Sequence, residues 1–228
     1  MKKGLVFILA TLLLVPFTLR AQSEKRNVGT FHAISMGVPG ELYITQGNHV
    51  SLEVKGDPDD LEDLVTEVKN NTLVIKYERT GWNFGRDRVS IYVTTPDISE
   101  ISLGGSGKVI SENLLQSDEL ALHVSGSGKM NLQVEADEIE ASISGSGNMT
   151  ITGEADAVQL TISGSGNLDA EDLKVDRYEV RISGSGRSRI NVGDQLDAKI
   201  SGSGSVYYTG DPDKVISNVS GSGRVKKL

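Results

Sequence analysis

The chain has 228 residues, 37% of them apolar and 5% aromatic, with 26 glycines, no cysteine and a formal charge of −8. That length allows one sizeable core or two small ones, and few large side chains among many glycines favour stacked β layers over a helical bundle. The acidic balance argues against nucleic-acid or anionic-lipid partners, because like charges repel, and the lack of cysteine removes disulfides, thiolate metal sites and cysteine-linked lipid.

The chain opens with Lys2 and Lys3, then an apolar run from Leu5 to Leu19 broken by Pro16, and a small residue, Ala21, before Gln22. This pattern predicts a secretory signal peptide over residues 1–21. The run is short for a spanning helix, so no membrane span is expected after cleavage. Lys2, Lys3 and Arg20 lie within this segment and no acid does, so the chain from residue 22 carries a formal charge of −11. The expected location is outside the cytoplasm: periplasm, cell surface or extracellular space.

Residues 22–100 are expected to form a β-rich cap region. Strand-like alternation covers 40–45, 50–55, 72–78 and 89–94. Asp57-Pro58-Asp59-Asp60 predicts a helix start, since proline and acids suit a first turn. Leu61, Leu64, Val65 and Val68 give that helix an apolar stripe, and Asn70-Asn71 is its expected end. Between two of the strands lies Thr80-Gly81-Trp82-Asn83-Phe84-Gly85-Arg86-Asp87-Arg88, with the only tryptophan. Trp82 and Phe84 suit stacking on a sugar ring, and Arg86 and Arg88 suit hydroxyls or carboxylates. These four are the candidate ligand-binding residues; the competing reading folds Trp82 back onto the core.

Residues 101–228 carry a repeat. Gly-Ser-Gly recurs at Gly105/Gly107, Gly126/Gly128, Gly145/Gly147, Gly164/Gly166, Gly184/Gly186, Gly202/Gly204 and Gly221/Gly223, and the second glycines are 21, 19, 19, 20, 18 and 19 residues apart. Between the copies the pattern alternates, as in Met130, Leu132, Val134 and then Ile139, Ala141, Ile143, around an acidic stretch such as Glu135-Ala136-Asp137-Glu138. Alternation over about six residues marks a strand with one buried face. Each repeat therefore predicts two short strands and two polar corners, one glycine-rich and one acidic. Such a unit buries its apolar face only by stacking, which predicts an all-β fold, a parallel β-solenoid with a rung of about 19 residues. An antiparallel meander would also alternate, but gives no reason for two kinds of corner in strict succession. The corner glycines are expected to supply the positive φ that a sharp coil needs, and the serines between them to stack as a ladder. Of Tyr207 and Tyr208, one is expected to be buried and one exposed.

Catalytic and metal readings are weak. Asp169, Glu171, Asp172 and Asp176 sit together, but acids recur in the same corner of other repeats, as Glu154 and Asp156 show, which fits a solvated edge better than a catalytic pair. The residue after each glycine corner is Lys108, Lys129, Asn148, Asn167, Arg187, Ser205 or Arg224; none is acidic, unlike the calcium-binding solenoid repeats. His32, His49 and His123 are scattered singly. No metal or other cofactor is expected, and no enzyme.

The glycine-serine corners, Phe31-x-x-Ile34, Leu42-Tyr43-Ile44-x-Gln46-Gly47, Asn71-Thr72-Leu73-Val74-Ile75 and Pro96-Asp97-Ile98-Ser99-Glu100-Ile101 together resemble the head GIN domain family of putative auto-transporter adhesins, common in Bacteroidetes, over about residues 28–225. The resemblance implies an exported β-solenoid of the cell envelope without assigned enzymatic activity, with adhesion suggested by the family name. An auto-transporter ends in a membrane barrel of long alternating strands. None follows Leu228 in this sequence, so self-export is not expected. The partner expected first is a glycan or surface protein. A self-assembling structural role through the solenoid ends comes second, because Arg224-Val225-Lys226-Lys227-Leu228 offers only charge as an end cap. A polysaccharide lyase or hydrolase is the weakest alternative.

Overall fold

A computed structural model describes residues 22–78 and 88–228. The expected signal peptide lies outside them. In chain order the strands are β1 Gln22–Lys25, β2 Ala33–Met36, β3 Gly40–Gln46, β4 Ser51–Gly56, β5 Leu64–Lys69, β6 Thr72–Tyr77, β7 Val89–Thr95, β8 Glu100–Gly105, β9 Lys108–Ser111, β10 Leu115–Gly126, β11 Lys129–Gly145, β12 Asn148–Gly164, β13 Asn167–Gly184, β14 Arg187–Gly202, β15 Ser205–Thr209, β16 Lys214–Gly221 and β17 Arg224–Lys227, with one helix, α1, Pro58–Asp63. The seventeen described strands belong to one hydrogen-bonded sheet that coils into a parallel β-solenoid.

The repeats stack in register. Gly126, Gly145, Gly164, Gly184, Gly202 and Gly221 lie over one another, as do the core residues Ile139, Val158, Tyr178 and Leu196. Four repeats, β11 to β14, are each one long strand rather than two short ones, while the first and last are split into β9–β10 and β15–β16. β11 and β12 run for 17 residues each, through the acidic corner without a break. The strand survives there because Ala136, Ala155 and Val175 stay buried at the bend, so pairing continues on both sides of it. Rung length varies, and register shifts between β12, β13 and β14 absorb the difference.

The glycine corners keep the ladder intact. At five successive corners the serine N–H donates to the first glycine's carbonyl one rung earlier, at the last corner Gly223 N–H does so instead, and the residue after the corner donates to the second glycine's carbonyl. Ser165 N to Gly145 O is 2.8 Å and Asn167 N to Gly147 O is 3.0 Å. The serines between the glycines are exposed.

Positive φ accounts for only half of the corner glycines. The first of each pair adopts it, as Gly164 does at +118°, a conformation closed to other residues. The second of each pair, Gly107, Gly128, Gly147, Gly166, Gly186, Gly204 and Gly223, does not, which corrects the sequence expectation for these seven. Their requirement is steric: the chain presses against the rung before, and a Cβ has no room. It would lie 2.4 Å from Val124 Cγ1 at Gly147, 2.4 Å from Ile143 Cγ2 at Gly166, 2.5 Å from Ile162 Cγ2 at Gly186 and 2.6 Å from Ile182 Cγ2 at Gly204. At Gly128 it would meet Leu103 Cδ2 at 2.7 Å, at Gly223 Ile200 Cγ2 and Gly204 O at 2.7 Å, and at Gly107 the Val38 carbonyl at 2.8 Å.

Glycine corners are not the beginning of the stack. β2–β3 and β6–β7 form two further parallel rungs: β2 pairs with β6 and β8, and β3 with β7 and β9. Antiparallel strands cover the outer rung, β5 on β6 and β4 on β7, with β1 on β4. They cap the open edge there. The core runs without interruption from Phe31 to Val206.

The helix is shorter than its apolar stripe suggests. It ends at Asp63, and Val65 and Val68 belong to β5. Asp57 caps its start by accepting from Asp59 N at 3.0 Å. At its other end the Arg26 guanidinium donates to the carbonyls of Leu61 (2.7 Å) and Leu64. Asn70 and Asn71 both have positive φ, 49° and 62°, which makes them a hairpin turn between β5 and β6 rather than a helix end.

Candidate functional site

Parallel in-register stacking turns each outward position into a column of side chains. Three of the grooves between columns bear on the sequence expectations.

The first flanks the glycine corners, a volume of about 650 Å³ between Thr161, Arg181, Lys199 and Asn218 on one side and Ser163, Ser183, Ser201 and Ser220 on the other. Its cations are already paired: Arg181 with Glu179, and Lys199 with Glu179 at 3.5 Å and Asp197 at 3.4 Å.

The second, about 500 Å³, follows the acidic corner, where Asp118, Asp137, Asp156 and Asp176 line up in successive rungs beside Glu135 and Glu154. Lys174 bridges to Glu154 at 3.0 Å. The four acids adjacent in sequence are not gathered here. Asp176 lies in this groove, Asp169 lines a different one, and Glu171 and Asp172 sit where β13 shifts register. Among the described residues no three His, Asp or Glu side chains are placed to hold a metal. His32 and His49 are exposed, and His123 Nδ1 meets Ser142 Oγ at 2.7 Å.

The third groove lies on the face that follows the glycine corners. It holds about 310 Å³ between Asn148, Thr150, Asn167, Asp169, Arg187 and Arg189. The residues after the corners form one outward column here, Lys108, Lys129, Asn148, Asn167, Arg187, Ser205 and Arg224 in register. The next column runs Tyr92, Tyr43, Ile110, Asn131, Thr150, Asp169, Arg189, Tyr207 and Lys226. Asn167 Nδ2 donates to Asn148 Oδ1 at 2.9 Å. At the N-terminal end Tyr43 and Tyr92 stack with ring centres 4.9 Å apart, and Lys55 Nζ lies 4.4 Å from the Tyr92 ring centre. The Tyr43 hydroxyl donates to Glu41 at 2.7 Å, and this bond, with burial second, pushes its pKa up to about 12. These tyrosines were not singled out as a site from sequence; the available signal was the outward place each takes in the alternation of its strand. Tyr207 and Tyr208 are both half-buried, so neither is fully in nor fully out.

Of the residues expected to bind a ligand, Trp82, Phe84 and Arg86 lie outside the described residues. Arg88 is exposed just ahead of β7.

A family model described as putative auto-transporter adhesin, head GIN domain, matches residues 30–212. No curated protein matches the chain. Among solved structures, a putative adhesin from Bacteroides fragilis is 26% identical, with a TM-score of 0.88 over 92% of this chain and 98% of that one. A putative adhesin from Parabacteroides distasonis is 24% identical, with a TM-score of 0.76 over 92% and 97%. A protein from the same species described as a putative lipid binding protein is 23% identical, with a TM-score of 0.75 over 91% and 96%. The last two share the fold.

Proposed function

The chain belongs to the head GIN domain family of putative auto-transporter adhesins, and from that premise we propose that it is an exported, non-enzymatic protein of the cell envelope that binds a glycan or a surface protein. The observation that carries this reading is the lattice of outward columns. A rigid parallel stack holds polar and aromatic side chains at fixed spacing along an extended face, as binding to a long partner requires. Ordered columns lower the conformational cost of association, since few side chains need to be newly fixed. The Trp82 loop, with Phe84, Arg86 and Arg88, is a second contact on this reading. The test is a glycan array probed with the chain from residue 22 and with its Trp82→Ala variant. Binding lost in the variant supports an adhesin-like role through that loop. No binding by either protein removes the glycan and leaves a protein partner.

One observation favours a second reading, assembly with a second copy. Val215 and Val219, on β16 in the last rung, remain 43% and 42% exposed. Another rung laid over them would bury both and pair the backbone edge. Light scattering over a wide concentration range decides this: a monomer throughout refutes it.

A further inference from the structure

Resting on the reading of the protein as an extracellular binder, we infer that the groove between Asn148, Asn167, Arg187 and Arg189 is a site for an acidic glycan, one whose sugars carry carboxylate or sulfate groups.

The first support is an unmatched pair of cations. Arg187 and Arg189 are two residues apart on β14 and point to the same outer face. Among the described residues, neither makes an ion pair or a side-chain hydrogen bond. Several cations on other surfaces do: Lys174 pairs with Glu154, Arg181 with Glu179, and Lys199 with Glu179 and Asp197. Asp169 is in register with Arg189, yet no ion pair joins them. Two guanidiniums side by side repel one another and gain most from an anion held between them.

Charge segregation is the second support. From residue 22 the chain is acidic, yet the residues after the glycine corners include Lys108, Lys129, Arg187 and Arg224 and no acid, the one acid in register with them being Glu41 at the N-terminal end. Acids instead gather at the opposite bend, in the row Asp118, Asp137, Asp156 and Asp176. A surface serving solubility alone would intersperse the signs. This layout steers a polyanion to one face and away from the other.

The third support distinguishes a glycan from a bare polyanion. Asn167 donates to Asn148, which leaves the Asn167 oxygen and the Asn148 NH₂ as an acceptor and a donor at the groove. Thr150 adds a hydroxyl and Asp169 an acceptor. Sugar hydroxyls need such alternating donors and acceptors; phosphates in a row do not. Tyr207, half-buried and in register with Arg189, offers a ring on which a sugar face can rest. From Asn148 to Arg187 is two rungs, about 10 Å at the strand spacing, which is room for two linked sugars.

The test is affinity measurement on the purified protein with four probes: an oligogalacturonate, a heparin oligosaccharide, a neutral dextran oligosaccharide and poly-glutamate. Expected is binding of one or both acidic glycans, weakened at least tenfold in Arg187→Gln/Arg189→Gln, unchanged in the paired-cation control Arg181→Gln, and weaker in raised salt. Asn148→Ala is expected to weaken glycan but not poly-glutamate binding. All four side chains are on the surface, so an unchanged melting temperature shows that the variants fold. Acidic-glycan binding that survives in the double variant overturns the site. Poly-glutamate binding as tight as the glycans overturns the ligand class. Dextran bound without either acidic glycan leaves the adhesin reading standing and removes this site from it. No binding to any of the three glycans removes this site and leaves the proposed function with a protein partner alone.

Discussion

The stacked corners make a prediction that separates steric from conformational demand on glycine. At Gly166 φ is not in the left-handed region, so Gly166→Ala meets only a collision: the new methyl would lie 2.4 Å from Ile143 Cγ2 and 2.9 Å from Gly147 O. Overpacking of this kind costs about 1–3 kcal/mol. Ile143→Ala alone, at a position 1% exposed, costs about 2–5 kcal/mol for the lost contacts and the cavity. In the double variant the methyl added at position 166 enters the space that the isoleucine vacates, so the two costs should fall short of their sum by about 1–2 kcal/mol. Gly164→Ala behaves differently. Its φ is +118° and its Cβ would lie 2.6 Å from the carbonyl oxygen of Gly145, so no side-chain truncation relieves it. Paired with Ile143→Ala it should be additive within about 0.5 kcal/mol. Urea unfolding followed by far-UV circular dichroism measures the parent and these variants, with an unchanged m-value as the condition for comparing midpoints, because stacked repeats can unfold in parts. Gly166→Ala within about 0.5 kcal/mol of the parent, or strict additivity with Ile143→Ala, would refute the assignment of separate roles to the two glycines.

Three further outcomes are expected. Tyr178 is 2% exposed and its hydroxyl has no partner among the described residues; burial raises its pKa, and Tyr178→Phe should raise stability by up to about 1 kcal/mol, seen as a higher urea midpoint; a clear loss would mean that the hydroxyl is bonded. Asn71 holds φ 62° in the β5–β6 turn, and Asn71→Gly should stabilise by a few tenths to about 1 kcal/mol, read as a higher melting temperature, since glycine enters that region freely. The raised pKa of Tyr43, about 12 against an ordinary 10.0, means that its bond to Glu41 supports the fold fully below pH 10 and loses that support as pH rises towards 12. The stability of Tyr43→Phe should therefore fall less steeply over that window; parallel curves would show that the bond contributes nothing.

The glycine repeat exposed the solenoid in the sequence because its corners admit so few residues: positive φ selects one glycine and the rung beneath selects the other. That division of labour was itself hidden, since Gly164 and Gly166 look alike until the packing of Ile143 against the second is seen. The buried columns were plain, as the alternation through Ile139, Ala141 and Ile143 shows. The β5 strand was not legible. Leu61, Leu64, Val65 and Val68 fit helical spacing, and only the hairpin at Asn70-Asn71 shows that 64–69 pairs with β6. Nor was the placement of β2–β3 between two later segments, because parallel pairing is non-local and these rungs carry no Gly-Ser-Gly corner. For the candidate glycan site, the cations after four of the seven corners were visible one by one. What the sequence lacked was register: only the stacking puts Asn148, Asn167 and Arg187 in one line and sends the neighbouring acids Asp156 and Asp176 to a different edge.

The interleaving of β2–β3 governs the order in which the molecule can be assembled. These strands leave the ribosome, and would leave an export channel, before either of their neighbours, β6–β7 and β8–β9. Until β6–β7 has emerged they have open edges on both sides, and one edge stays open until residue 111. The stack therefore cannot grow rung by rung from its N-terminus, and its nucleus must join segments some 40 to 70 residues apart, such as Ile34 with Leu73 and Ile101. Closing such loops is slow compared with local pairing, which would keep the leading part of the chain unfolded during export on the proposed reading. The glycine-cornered rungs arrive later onto a finished template, so each can add to the last as it appears.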